Sequence, residues 1–443
     1  EIPKRDWSSD VCSSDLYREK PSVLKDVDVI VHHQKPEDPD RKIHGDQCTY
    51  DEKTQDVKCV GKVSVDLDPG TVARTEQLDY DSHKGLISSR SATTLERPGD
   101  MRGSSGRMDY FVDAGLLRLT DRVDIQLATG SRMRTGVAVF QQRENWATVS
   151  QGIEMTSMNG WIRGGSGRAE LAPGTYRPTL ITVENGAMVE SHSARSMFTV
   201  NSDWLRSNLT PEGDIDHVLA RGKVHAQRSS TDSSAEKSLN GSLDGPEIEA
   251  WLKDKHVSTL EAREHPEFVT SDGKLTAEET IFIDYEKRSV VTRGKSELKD
   301  ATMSASGRDF TINDTPAERV FSTSSRATLK SSDMTTVADT TTAHIDTATN
   351  KISSLVQAGK VTLEDSVNGR KGKSGKLTVS DDGRIDLERD QPEVSTSQGT
   401  LKSEKIVIYQ NDKRFVGDGN VVMTDKQSTV FAGHVDGTDT RVE

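Results

Sequence analysis

The chain has little of what fills a thick core. Hydrophobic residues make up 32% of its 443 positions and aromatic residues only 5%, both low for a chain of this length. A single large core is therefore excluded, which leaves disorder or an elongated fold whose interior is one layer of side chains deep. Charge does not force disorder, because a net charge of −13 is small per residue. No stretch approaches the ~20 consecutive apolar residues of a membrane-spanning helix. A basic excess is also missing: 58 Lys and Arg stand against 71 Asp and Glu. That balance argues against nucleic acid as the main partner, since neutralising phosphates needs a basic face. Cysteine is scarce, at three residues. No suitably spaced His joins them to complete a four-ligand metal site.

One segment is set aside before the fold is read. Asp6-Trp7-Ser8-Ser9-Asp10-Val11-Cys12-Ser13-Ser14-Asp15-Leu16 back-translates without a mismatch to a string that resembles a common sequencing adapter. The run has no hydrophobic periodicity and no cap or turn logic. Residues 1–16 are treated as non-native, and the native N-terminus is expected to be missing.

What remains alternates. Val63, Val65 and Leu67 are separated by Ser64 and Asp66, and Val123, Ile125 and Leu127 by Asp124 and Gln126. Ile281 with Ile283, Val361 with Leu363, and Ile406 with Ile408 keep the same period of two, which is that of a half-buried strand. Tyr50, Tyr80 and Tyr110 recur every 30 residues, each followed by a polar turn and a new apolar run. A second signature places Gly and then Lys or Asn before a Val, at Gly61-Lys62-Val63, Gly222-Lys223-Val224, Gly359-Lys360-Val361 and Gly419-Asn420-Val421. Such periods mark repeat architectures whose units stack to form one continuous core. Asp81–Gly85 and Val112–Gly115 read as hairpin turns, so neighbouring strands are expected to be antiparallel. The Gly before each Val run is expected to permit a bulge where a strand bends from one sheet into another. Glu247–Arg263 is read as strand, turn and strand rather than a helix. Segment 229–246 is read as a linker or as one long hairpin loop.

With Cys12 set aside, Cys48 and Cys59 flank the turn Asp51–Asp56. If Tyr50 pairs with Val57 in a hairpin, Cys48 falls opposite Cys59, at a Cβ separation near disulfide range. A disulfide would imply an oxidising compartment. The competing reading is two buried thiols that merely face each other.

Catalytic signatures fail in turn. Gly369–Lys376 has the Gly-Lys-Ser of a phosphate loop, but Val367 stands where its first Gly is required. It is read as a solvated hairpin loop, with contact to phosphate groups through Arg370, Lys371, Lys373 and Lys376 as the functional alternative. His32, His33 and His44 lack metal-ligand spacing and are expected to be exposed. Gly164-Gly165-Ser166-Gly167 is read as a turn. Carboxylates fall mostly at outward strand positions, and no pair is singled out for glycosidase chemistry. No enzyme activity, cofactor or metal is expected.

Four segments then carry a resemblance. Leu24–Ile30, Gly45–Thr54 and Gly61–Leu67 resemble the LptC component of the lipopolysaccharide exporter, and residues from about Lys274 to Asp425 resemble the OstA/LptA domain of the periplasmic bridge. The resemblance implies an all-β, elongated antiparallel jellyroll with an open apolar groove, a β-taco that holds acyl chains. It also implies an LptC-like region over 17–228 and an OstA/LptA-like region over 247–443. Its implied partners are lipopolysaccharide, inner-membrane ABC exporter components, further bridge modules joined head to tail by strand addition, and an outer-membrane acceptor. The implied location is the periplasm, tethered to the inner membrane by an N-terminal helix that this chain lacks. Under that reading Val63, Val65, Leu67, Val123, Ile125, Leu127, Ile281, Ile283, Val361, Leu363, Ile406 and Ile408 line the groove. The alternative is a β-repeat scaffold or adhesin in which the same residues pack only against one another.

Overall fold

The structure, a computed structural model, describes residues 22–32, 40–68, 70–194, 196–230, 239–301, 303–349, 351–438 and 441–442. Segment 1–16, His33 and the middle of 229–246 lie outside the described residues. Among the described residues there are 37 β-strands and no helix, and the paired strands run antiparallel. The chain forms two compact units. Unit 1 comprises residues 1–193 and 199–221, and unit 2 comprises residues 194–198 and 222–443.

The alternating segments form strands because alternation buries one face and wets the other. Leu116–Leu127 is typical, with Leu117, Leu119, Val123, Ile125 and Leu127 buried. Such a strand is too long to stay straight in a twisted sheet. It bends at its centre, where residues 121 and 122 adopt left-handed φ values of 68° and 56° and the pairing register with Arg132–Gln141 shifts. The inward positions keep the same parity on both sides of the bend, so Leu117 and Leu119 face the same interior as Ile125 and Leu127. Each long strand thus contributes to two flanks that meet along a seam of bends.

In unit 1 the bends recur every 15 residues, at Asp46, Gly61, Glu76, Ser91, Gly106, Asp121, Gly136 and Gln151. The 30-residue tyrosine period is two of these passes. Seam neighbours are hydrogen-bonded: Gly106 N–H donates to Asp121 O at 2.7 Å. Unit 2 repeats the arrangement. Glu264 N–H donates to Glu279 O at 2.9 Å, and Glu404 N–H to Gly419 O at 2.9 Å. Gly61 shows what the seam demands. Its φ is 96°, and a Cβ there would lie 2.8 Å from Asp46 Cβ.

A buried hydroxyl closes many of these bends. Thr75, Ser105 and Thr135 lie 30 residues apart and donate to the carbonyls of Gln77, Arg107 and Val137. Ser202, Ser374 and Ser403 make the same contact with Trp204, Lys376 and Lys405 at 2.9, 2.9 and 2.7 Å. The bulge turns one carbonyl away from the ladder, and the hydroxyl two residues earlier satisfies it.

Several expectations require correction. Gly164, Gly165 and Gly167 do not form a turn but lie inside the strand Gly160–Leu171. There a Cβ on Gly164 would meet Val183 Cγ1 at 2.2 Å and one on Gly167 would meet Thr182 O at 2.8 Å, so close backbone approach accounts for the glycines. Arg370–Ser380 is a strand rather than a loop, because the turn closes at Ser366–Gly369. Its Arg370 points inward, only 3% exposed, while Lys371 pairs with Glu364 and Lys376 with Glu388. The ends of 229–246 are strand as well: Ile215–Ser230 runs into it and Gly241–Lys253 begins within it. By contrast, Glu247–Arg263 is strand, turn and strand as expected, with the turn at Asp254-Lys255.

Candidate functional site

All twelve alternating residues point into the interior, none more than 7% exposed. The register sorts them. In unit 1, Val65 pairs with Ala73, Ala73 with Leu95, Leu95 with Gly103 and Gly103 with Ile125. Val63, Val65, Leu67, Val123, Ile125 and Leu127 therefore share one flank, here flank two. The opposing wall, flank one, is the column Cys59, Leu78, Met108, Leu119, Ala138, Val149 and Val183, all buried. In unit 2, Ile283 and Ile408 share flank one through the chain Val290, Ile312, Phe321, Ala343, Leu355, Val379 and Ile385. Ile281 and Ile406 stand two residues closer to the seam on the same flank. Val361 and Leu363 belong to the opposite flank, where Leu363 pairs with Thr336 and Gly372.

Cys48 and Cys59 pair directly and are joined by a disulfide between two adjacent strands of flank one. Both are 1% exposed. Gly45 lies beside the bridge, and a Cβ on it would sit 3.0 Å from Cys48 Sγ.

Away from the seam, the two flanks end in separate rows of turns. In unit 1 flank one carries turns 52–54, 82–85, 112–115 and 142–145, and flank two carries 98–100, 128–130 and 158–159. Each row is zipped along its own length by backbone bonds. Val112 N–H donates to Gly85 O and Leu171 N–H to Asn145 O on flank one, and Ala128 N–H to Asp100 O on flank two. Unit 2 does the same, with Asp314 N–H to Arg288 O on one row and Ser366 N–H to Asp333 O on the other.

Between the rows the contacts are of another kind, each made by at least one side chain. In unit 1, Arg41 Nη2 donates to Tyr110 Oη at 3.0 Å, and Tyr176 N–H donates to Asp100 Oδ2 at 2.9 Å. Asn159 Nδ2 donates to Asp214 Oδ1 at 2.8 Å. In unit 2, Arg319 Nη2 donates to Asp272 Oδ2 at 3.2 Å, and the Arg228 guanidinium lies 4.1 Å from the centre of the Tyr285 ring. Burial pushes the Tyr285 phenol up, against the opposing charge of Arg228. Burial lowers the Arg319 pKa, but Asp314 and Asp272 raise it by more, so the group stays charged.

Two cavities lie beneath such bridges. One of about 40 Å³ in unit 1 is lined by Ile125, Leu127, Met133, Met155 and Tyr176. Another of about 50 Å³ in unit 2 is lined by Phe268, Leu275, Ile312, Phe321 and Arg319. Each has room for no more than a water or two.

Other sequence candidates are not gathered into a site. His32 contacts Asp40 at 2.9 Å and His44 contacts Asp28 at 3.0 Å, each a separate surface pair. Among the described residues no cluster of three His, Cys, Asp or Glu is arranged to hold a metal ion. The carboxylates are not all outward. Asp284, Asp314 and Asp365 are buried at the flank margins, 6%, 4% and 2% exposed. Asp284 and Asp365 there accept turn N–H groups from Lys287 and Asn368. The bridging pairs escaped sequence reading, although Tyr110 was marked by its period, because the partners lie 47 to 76 positions apart. The seam hydroxyls were within reach, since Thr75, Ser105 and Thr135 carry the same 30-residue spacing as the tyrosines.

No protein-family model matches the chain, and no curated protein matches it.

Proposed function

We propose that the protein is a lipopolysaccharide-binding bridge component that carries lipid across the periplasm, with acyl chains held between the two flanks of each unit. The observation that carries this reading is the asymmetry of the flank edges. Along the seam the flanks are joined covalently and by backbone hydrogen bonds. Along the turn rows the observed bridges depend on side chains. Such an interior can part along one margin without breaking a β-ladder, and most of its inward side chains are apolar. Small and medium aliphatic side chains suit a slit that takes hydrocarbon and leaves sugars in water. Transport partners follow from the same reading: an ABC exporter that supplies energy, further bridge modules added at sheet edges, and an outer-membrane acceptor. A periplasmic location would agree with the disulfide.

The test is binding of lipopolysaccharide to the purified chain, read by mass spectrometry of the intact complex and by competition with a lipid lacking acyl chains. Saturable binding that requires the acyl chains supports the proposal. Absence of binding by the folded protein overturns it. The second reading is a dry β-scaffold, and the tight burial of all twelve inward residues favours it. It predicts no bound lipid under any condition.

A further inference from the structure

We propose that Arg319 and Asp272 form the gate of a port in unit 2 that admits one alkyl chain bearing an anionic head group. The inference rests on the lipid-binding reading and adds to it the place of admission, the head-group chemistry and the control.

Arg319 stands at the margin of flank one between two carboxylates. Its Nε donates to Asp314 Oδ1 at 3.2 Å, on its own margin. Its Nη2 donates to Asp272 Oδ2, also at 3.2 Å, on the opposite margin. The two partners differ in burial. The Asp314 side chain is 2% exposed and that of Asp272 is 41% exposed. An exposed ion pair contributes little, while a buried one is costly to break. When the margins part, the Asp272 contact is thus the one released, and Arg319 keeps Asp314.

What lies beneath is mostly apolar. Phe268, Leu275, Val290, Leu298, Ile312 and Phe321 line the cavity, with Phe310 stacked edge-on against Phe321 at 4.9 Å. Lys274 and Asp300 also line it and supply its remaining charges. At about 50 Å³ the closed space cannot hold an alkyl chain, so occupation requires the margins to separate. Separation leaves the guanidinium with free donors at the rim of an apolar slit. A carboxylate or phosphate head takes the place of Asp272 there and accepts from the released guanidinium N–H groups. The alkyl chain then replaces the side-chain packing between the flanks.

The experiment uses the full chain with Cys12→Ser, so that Cys48–Cys59 stays bonded. A photoactivatable fatty acid and the matching fatty alcohol serve as probes. Their crosslinks are mapped to peptides containing Phe268, Leu298 and Phe321. Three forms are compared: the parent, Asp272→Asn, and a Ser271→Cys/Ala317→Cys pair tied across the margin by a bismaleimide. Asp272→Asn leaves the Arg319–Asp314 contact in place and is expected to raise the initial labelling rate about two- to fivefold. The tied form is expected to lose labelling, and the acid is expected to label more than the alcohol. Inward labelling that ignores both the tie and Asp272→Asn would overturn the gate while leaving the lipid reading standing. If no form is labelled inside, the lipid reading fails, and the gate is judged without lipid. Spin labels on the same cysteine pair must then show a wider distance distribution with Asp272→Asn than without it. An unchanged distribution overturns the gate.

Discussion

Thr135 shows how one atom group decides a bend. Its hydroxyl lies within reach of two carbonyls, Ser150 O at 2.9 Å and Val137 O at 3.2 Å, in a side chain only 8% exposed. Valine has the same shape without the donor. Thr135→Val is therefore expected to leave a buried carbonyl unsatisfied and to lower stability by about 1–2 kcal/mol, read as a drop in denaturant midpoint. An unchanged midpoint would remove the hydroxyl from the account of the seam. Gly61 makes the complementary case. Gly61→Ala meets both a φ of 96° and the Asp46 side chain, and should cost more than an ordinary strand substitution. Residue-scale logic was partly legible beforehand. The Gly-Lys-Val signature marks true bends, whereas the glycines at 164–167 were misread because a tight backbone approach and a turn ask for the same residue.

At the scale of elements, the hairpin joining Arg41–Tyr50 to Val57–Asp68 is tied by Cys48–Cys59. The bridge closes a short loop, so removing it by a paired Cys→Ser change should cost about 2–3 kcal/mol. Hydrogen exchange should show faster opening in the strands Ser22–Val31, Arg41–Tyr50 and Val57–Asp68, with unit 2 unaffected. Equal loss of protection in both units would contradict this local role. Strand existence and phase were legible here, because alternation over short stretches specifies which face is buried. The reading of Gly369–Lys376 as a loop failed for a physical reason. Charged residues alternate outward at Lys371 and Lys373 between the small inward residues Gly372 and Ser374, and small inward residues leave no apolar signal.

For the whole molecule, the surface carboxylates set a pH limit. Hydrogen bonds from Lys42, Arg132 and Lys405 hold Asp28, Asp124 and Glu388 below their ordinary values, as Arg414 does for Asp436. A depressed folded-state pKa gives stability that is fully present above the unfolded value of ~4 and lost as pH falls through the folded value. The thermal midpoint should accordingly stay level from pH 7 to about 5 and decline below about 4. A midpoint that rises on acidification would contradict the assignment of these pairs. Stacked passes were legible from the tyrosine period and the bends between sheets from the Gly before each Val run, but which residues face each other across the two flanks was not. A bend changes which residues face each other without changing the alternation on either side of it, and the bridges across the margins join residues with no sequence relation.

The central claim is that the interior holds lipid, and photo-crosslinking inside the cell tests it most directly. A crosslinking residue is placed at Val65, Ile125 or Leu363, which face inward, and separately at Asp66 or Gln126, which face outward. The protein is expressed in a cell that makes and exports lipopolysaccharide. The account predicts lipopolysaccharide adducts at the inward set and none at the outward set. A folded protein with no adducts at Val65, Ile125 or Leu363 would contradict it and leave a dry β-scaffold.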